Sequence, residues 1–173
     1  MEESNNITVK SVSIKYGLIS ALVGIIFFIL LDFMGQATNR SLTWIGIIFS
    51  IAIMYLAHNE FKKEGDGYMS YKQGLNIGTL MSVIASVING VFTFVYVKFI
   101  NPEFTDAIRE QQLLEMEKRG MSDAEISQAM EIAEMFIGPV AMLIYSIVFG
   151  ILIGFILALI ISAVTKKVNP EFV

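Results

Sequence analysis

The chain consists of long apolar runs joined by short polar connections, with one long polar interruption between the third and fourth runs. The runs extend over about residues 16–35, 41–59, 74–100 and 137–164. They are apolar on every helical face rather than along one stripe, and each is close to or above the ~20 residues that a helix needs to cross a bilayer. The pattern predicts four transmembrane helices.

Composition strengthens this prediction and excludes several other classes of protein. Hydrophobic residues make up 55% of the 173 residues and charged residues only 16%, whereas soluble domains carry about 25% charged residues. The chain has no cysteine, which excludes disulfides and thiolate metal sites, and its net charge of −4 argues against binding of nucleic acid. We expect an all-α membrane protein that forms a single domain over residues 1–173, in contact with the lipid bilayer.

Basic residues near the span ends predict the orientation. Seven lysines lie in the N-terminal tail, the loop between the second and third spans, and the C-terminal tail, whereas only Arg40 and Lys98 lie near the opposite ends. The seven are Lys10, Lys15, Lys62, Lys63, Lys72, Lys166 and Lys167. Because Lys and Arg accumulate on the cytoplasmic side, we expect both termini in the cytoplasm and the polar interruption outside.

The polar interruption, residues 101–136, is called the insert below. It contains nine acidic and three basic residues, so its net charge is −6. Asn101-Pro102 predicts the start of a helix, Gly120 its left-handed C-cap, and Ser122 with Glu125 the capping box of a second helix. The insert is therefore predicted to be an extracytoplasmic helical hairpin, which either packs on itself and on the membrane surface or binds an extracytoplasmic partner.

Small residues recur at every fourth position in the third and fourth spans. Such stripes allow two helix backbones to approach closely within a bilayer. They comprise Gly78, Ser82 and Ser86 in the third span and Ser146, Gly150, Gly154, Ala158 and Ser162 in the fourth. The stripes predict that these two spans pack on each other, with a homodimer through the fourth span as the alternative.

Four polar side chains in the spans are candidate functional residues. Asp32 and Lys98 lie near the predicted external ends of their spans, and Asp32 is expected to pair with Lys98 or Arg40, or else to be a proton or cation site. Asn89 and Asn76 lie in the third span, where each amide is expected to form an interhelical hydrogen bond. All four are candidates because polar groups are costly in hydrocarbon.

No pattern in the chain indicates an enzyme. His58 is the only histidine and has no nearby second ligand, so no catalytic residue, metal site or cofactor is predicted. We therefore expect a non-catalytic accessory or scaffold subunit that binds another membrane or periplasmic protein through its hairpin or its small-residue faces. The alternative is an oligomeric channel or transporter for a small solute or ion.

Several short segments together resemble a known family. They are Lys15-Tyr16-Gly17-Leu18-Ile19, Gly67-Tyr68-Met69-Ser70-Tyr71-Lys72-Gln73-Gly74, Asn101-Pro102 and Gly120-Met121-Ser122. In these segments the chain is similar to a domain-of-unknown-function family of four-helix membrane proteins found mainly in Bacteroidota. The resemblance implies a location in the bacterial inner membrane with the insert in the periplasm, and it implies no activity.

Overall fold

A computed structural model describes residues 7–169, apart from the side chains of Arg40 and Thr43. Within these residues the chain forms six α-helices, and a π-helical turn, Tyr96–Ile100, continues the third. The helices are α1 (Val9–Phe33), α2 (Arg40–Lys63), α3 (Tyr71–Val95), α4 (Phe104–Lys118), α5 (Asp123–Glu134) and α6 (Pro139–Thr165). Four of them, α1, α2, α3 and α6, are long and apolar enough to cross a membrane. The prediction of an all-α membrane protein with four spans is confirmed.

The first and third spans begin earlier than the apolar runs do, because polar capping residues start them. Thr8 and Ser11 form a reciprocal capping box before α1, with both bonds at 3.0 Å. Ser70 and Gln73 form the same motif before α3. A capping box satisfies backbone N–H groups that the first helical turn leaves free, so the helix can begin in polar sequence outside the hydrocarbon.

The insert contains α4 and α5, and one of its predicted ends is wrong. α4 begins at Phe104 rather than at Pro102, because the Phe104 N–H donates to the Asn101 carbonyl oxygen at 3.2 Å and residues 101–104 form a turn before the helix. The Asn101 N–H ends the π-helical turn by donating to the Tyr96 carbonyl oxygen at 2.8 Å. Gly120 has a φ of +73° and ends α4 as predicted. The Ser122 N–H donates to the Glu125 carboxylate at 2.8 Å, which confirms the capping contact at the start of α5.

The other three spans pack around α3, which contacts α6 and α1 extensively and α2 only slightly. We call the end that carries residues 7 and 169 the terminal end, and the opposite end the insert end. The buried residues of α1, α2 and α6 all lie in the halves near the terminal end, whereas those of α3 extend along most of its length. None of residues 44–52 in α2 and 139–153 in α6, all of which the structure describes, is buried. The bundle is therefore tight at the terminal end and more open at the insert end.

Candidate functional site

Small residues of α3 and α6 face each other at successive helical turns. A Cβ atom built on Gly78 would lie 2.7 Å from the Cβ atom of Ala158, so only a residue without a side chain fits there. The facing pairs are Gly74 with Ser162, Gly78 with Ala158, Ser82 with Gly154 and Ser86 with Gly150. Moving four residues forwards along α3 corresponds to moving four residues backwards along α6. The two helices therefore pack antiparallel and in register.

A crevice of about 360 Å³ opens beside this contact, with walls from α1, α2, α3 and α6. Met54, Met81 and Leu157 bound it towards the terminal end. Its polar lining residues are Ser20, Ser50, Ser82, Ser86, Asn89 and Ser146. All of its lining residues are uncharged types, so the crevice is a neutral space inside the predicted membrane region.

Only half of these polar side chains have hydrogen-bond partners. The hydroxyls of Ser50 and Ser82 and the amide of Asn89 each donate to the carbonyl oxygen four residues earlier, at 3.0, 2.8 and 2.8 Å respectively. The other three hydroxyls make no hydrogen bond with any residue that the structure describes; they belong to Ser20, Ser86 and Ser146. The crevice therefore has hydrogen-bonding capacity that the protein itself does not use.

A buried polar cluster closes the terminal end. His58 is fully buried, with Nε2 3.0 Å from the Gly74 carbonyl oxygen and Nδ1 2.7 Å from the Thr165 hydroxyl. A carbonyl oxygen can only accept, so in the neutral imidazole Nε2 carries the proton and Nδ1 is an acceptor. The single Thr165 hydroxyl proton then has two acceptors within reach, His58 Nδ1 at 2.7 Å and the Ile161 carbonyl oxygen at 2.7 Å. Lys62 donates to the Thr165 carbonyl oxygen at 3.0 Å. This cluster joins α2, α3 and α6.

In the sequence His58 stands as an isolated histidine, and its hydrogen-bond partners are not apparent. Thr165 lies 107 residues away along the chain and Gly74 lies 16 residues away. Neither position carries a local motif, and a backbone carbonyl oxygen is not a feature of residue type. These partners become visible only when the register between the helices is known.

Asp32 lies at the insert end, where it accepts a hydrogen bond from the Tyr96 hydroxyl. The expected ion pair with Lys98 is not present: the Lys98 ammonium instead lies 5.2 Å from the ring centre of Phe94. The other expected partner, the Arg40 side chain, is outside the described part of the structure. The Tyr96 hydroxyl, on the π-helical turn, is the described contact that positions the Asp32 carboxylate.

The four polar candidates do not form one site. Asn89 lines the crevice, where its amide is close to Gly24 of α1. Asp32 and Lys98 lie at the insert end without contacting each other, and Asn76 lies on an exposed face of α3. Of the four, only Asn89 belongs to the crevice that the small-residue stripes border.

Comparison with known proteins gives a family and no activity. No curated protein and no solved structure matches the chain. A family model described as a protein of unknown function (DUF4199) matches residues 15–167. This range includes the insert, the crevice and the cluster around His58. The chain therefore belongs to the DUF4199 family of proteins of unknown function.

Proposed function

We propose that the protein is a non-catalytic accessory or scaffold subunit in the bacterial inner membrane, and that the insert is its main binding surface. The small-residue faces of α3 and α6 lie against each other within one chain, so they offer little to a partner or to a second copy. The observation that carries the proposal is the exposure of α5. None of its residues, all of which the structure describes, is buried.

The chemistry of the insert indicates what kind of partner would bind. Ile132, Met135 and Phe136 are 59%, 69% and 59% exposed, and they lie at the end of α5 and just after it. The surrounding insert has a net charge of −6. An apolar patch in an acidic surface suits a protein that presents apolar residues within a basic rim, because such complementarity speeds and orients association.

The hairpin arrangement of the insert is supported by one contact between its helices. The Arg109 guanidinium donates to the Glu134 carboxylate at 2.7 Å and also pairs with Asp106. The Glu134 contact connects the middle of α4 to the last residue of α5, which keeps the two helices side by side. Both partners are partly exposed, so we regard this contact as one that orients the helices rather than as a major source of stability.

The proposed binding requires the insert to face the periplasm. The lysines near the span ends gather at the terminal end, which supports cytoplasmic termini. The chain has no cysteine, so Ala124→Cys, at an exposed position of α5, introduces a single reactive thiol. A membrane-impermeant thiol reagent should label this variant in intact spheroplasts. Labelling only after the membrane is permeabilised would reverse the orientation.

Partner binding can be tested by purification in mild detergent with quantitative mass spectrometry. The wild-type chain should retain a partner in stoichiometric amount, and Ile132→Ser in α5 should lose it. Leu113→Ser is the matched control, because it makes the same kind of change at an exposed position of α4. Absence of any stoichiometric partner, or unchanged retention of the partner in Ile132→Ser, would contradict the proposal. Loss in both variants would extend the binding surface to α4.

The crevice favours a second candidate, an oligomeric channel or transporter. Hydroxyl and amide groups line the crevice, and this makes it the part of the bundle that most resembles a solute pathway. The cluster around His58 blocks the terminal end, so transport would require that end to open. Flux of a small solute into liposomes containing the purified protein, abolished by Asn89→Leu, would favour this candidate over the scaffold.

A further inference from the structure

We propose that the crevice binds an uncharged amphiphile from the lipid phase, a molecule with an apolar chain and a hydroxyl or carbonyl group. This inference concerns the membrane region and is independent of the binding role proposed for the insert. It depends on three properties of the crevice: unpaired buried hydroxyls, a neutral lining and an opening towards lipid.

The unpaired hydroxyls indicate that the crevice has a polar occupant. Serine in a membrane helix ordinarily satisfies its hydroxyl by bonding to the carbonyl oxygen one turn earlier, as Ser50 and Ser82 do. Ser86 is only 7% exposed, and it makes no such bond within the described residues. The Ser20 oxygen is also buried without a partner. A buried hydroxyl without a partner is costly, and a ligand hydroxyl or carbonyl group removes that cost.

The lining determines the charge of the ligand. All of the lining residues are uncharged, and the crevice lies within the span region. A charged group placed there would lose its hydration without gaining a counter-charge, which is strongly unfavourable in hydrocarbon. The serine hydroxyls can donate and accept hydrogen bonds with an uncharged hydroxyl or carbonyl group. The ligand is therefore neutral.

The shape of the bundle determines the route of access. The volume of about 360 Å³ falls within the range of small-molecule sites. Residues 44–52 of α2 and 139–153 of α6 include no buried residue, so the crevice is least covered where these two segments border it. Met54 and Met81 bound the other end. This geometry points the polar group of the ligand inwards and its chain outwards between α2 and α6 into the lipid.

The test is photolabelling of the protein in lipid nanodiscs with a decanol that carries a diazirine. In the wild type, labelling should saturate and map to the crevice-facing parts of α2 and α6, and unlabelled decanol should compete for it. Decanesulfonate and decane should compete poorly, because the first is charged and the second has no hydrogen-bonding group. Equal competition by decane or decanesulfonate, or labelling that does not saturate, would overturn the proposal.

Two variants of α6 sharpen the test. Ser146→Phe fills the crevice, whereas Val148→Phe adds the same ring at an exposed position that does not line it. Saturable labelling should disappear in the first variant and persist in the second. Ser86→Ala should weaken competition by decanol roughly fivefold, the effect of losing one hydrogen bond. Unchanged labelling in Ser146→Phe would overturn the proposal, and if that variant does not fold, the competition series in the wild type decides.

Discussion

Replacement of Gly78 by alanine should destabilise the bundle, whereas the same replacement at Gly46 should not. A Cβ atom at Gly78 would lie 2.7 Å from the Ala158 Cβ atom and 2.9 Å from the Met54 sulfur. At Gly46 the nearest atom is a ring carbon of Phe27 at 3.8 Å, an ordinary van der Waals distance. The two variants therefore make the same chemical change inside a helix, and they differ only in the space that is available.

The expected magnitude follows from this comparison. Each replacement gains about 1 kcal/mol of helix propensity, because alanine loses less backbone entropy than glycine does. Only Gly78→Ala also incurs overpacking, at about 1–3 kcal/mol, since the Ala158 Cβ atom is fixed to a helix and cannot rotate away. The free energy of unfolding should therefore be about 2 kcal/mol lower in Gly78→Ala than in Gly46→Ala. Unfolding in mixed micelles, followed by far-UV circular dichroism, measures the difference.

A double replacement tests whether Ala158 causes the effect. Ala158→Gly removes the Cβ atom that meets the new side chain, so the pair Gly78→Ala with Ala158→Gly exchanges the small residues across the contact. The double variant should be more stable than the sum of the single changes by about 1–2 kcal/mol, as expected for residues in contact. Equal stability of Gly78→Ala and Gly46→Ala, or strict additivity in the double variant, would refute the packing of α3 on α6 described above.

Three further predictions concern the polar contacts. His58→Ala should lower the free energy of unfolding by about 3 kcal/mol in the same assay, because it leaves a cavity and unpaired buried groups. A decrease no larger than the one caused by replacing an exposed residue with alanine would contradict the hydrogen bonds described for His58. Tyr96→Phe should cost about 1 kcal/mol, because the Asp32 carboxylate loses a donor; an equal cost in an Asp32→Ala background, where no acceptor remains, would show that the bond does not contribute. The hydrogen bond from Arg109 lowers the pKa of Glu134, so their contact should stabilise the insert above the unfolded pKa of Glu134 and weaken as the pH falls through the folded pKa. Arg109→Gln should raise the pKa of Glu134 in a carbon-13 NMR titration, and an unchanged pKa would exclude the contact.

The spans were predictable because hydropathy is a local property of the chain. A bilayer requires a continuous apolar helix, so four runs of sufficient length predict four spans without any knowledge of how they pack. The capping contact between Ser122 and Glu125 was predictable for the same reason, since its partners are three residues apart. The exception was Asn101, where the residues after the cap signal form a turn and α4 begins only at Phe104.

The candidate site was not predictable, because it depends on how far apart the helices lie. The spacing of Gly150 and Gly154 predicted a close contact, but Ser86 and Ser82 became their partners only through the register of α3 against α6. The crevice lies between α1, α2, α3 and α6, and no pattern within one helix encodes the distances between four of them. Asn89 stands out in the sequence because a strongly polar side chain is rare in a span, whereas a serine such as Ser20 is common there and gives no such signal.

The distribution of interhelical hydrogen bonds explains why the two ends of the bundle differ. At the terminal end, Lys15 pairs with Glu60 at 2.5 Å and His58 bonds to α3 and α6. At the insert end, the one hydrogen bond between described side chains of the spans is that of Tyr96 with Asp32, and it joins α1 to the end of the third span. Among the described side chains, α2 therefore makes hydrogen bonds to the other spans at the terminal end only. Apolar contacts between α2 and its neighbours differ little in free energy from contacts with lipid, so these polar contacts are what hold α2 to the bundle most specifically.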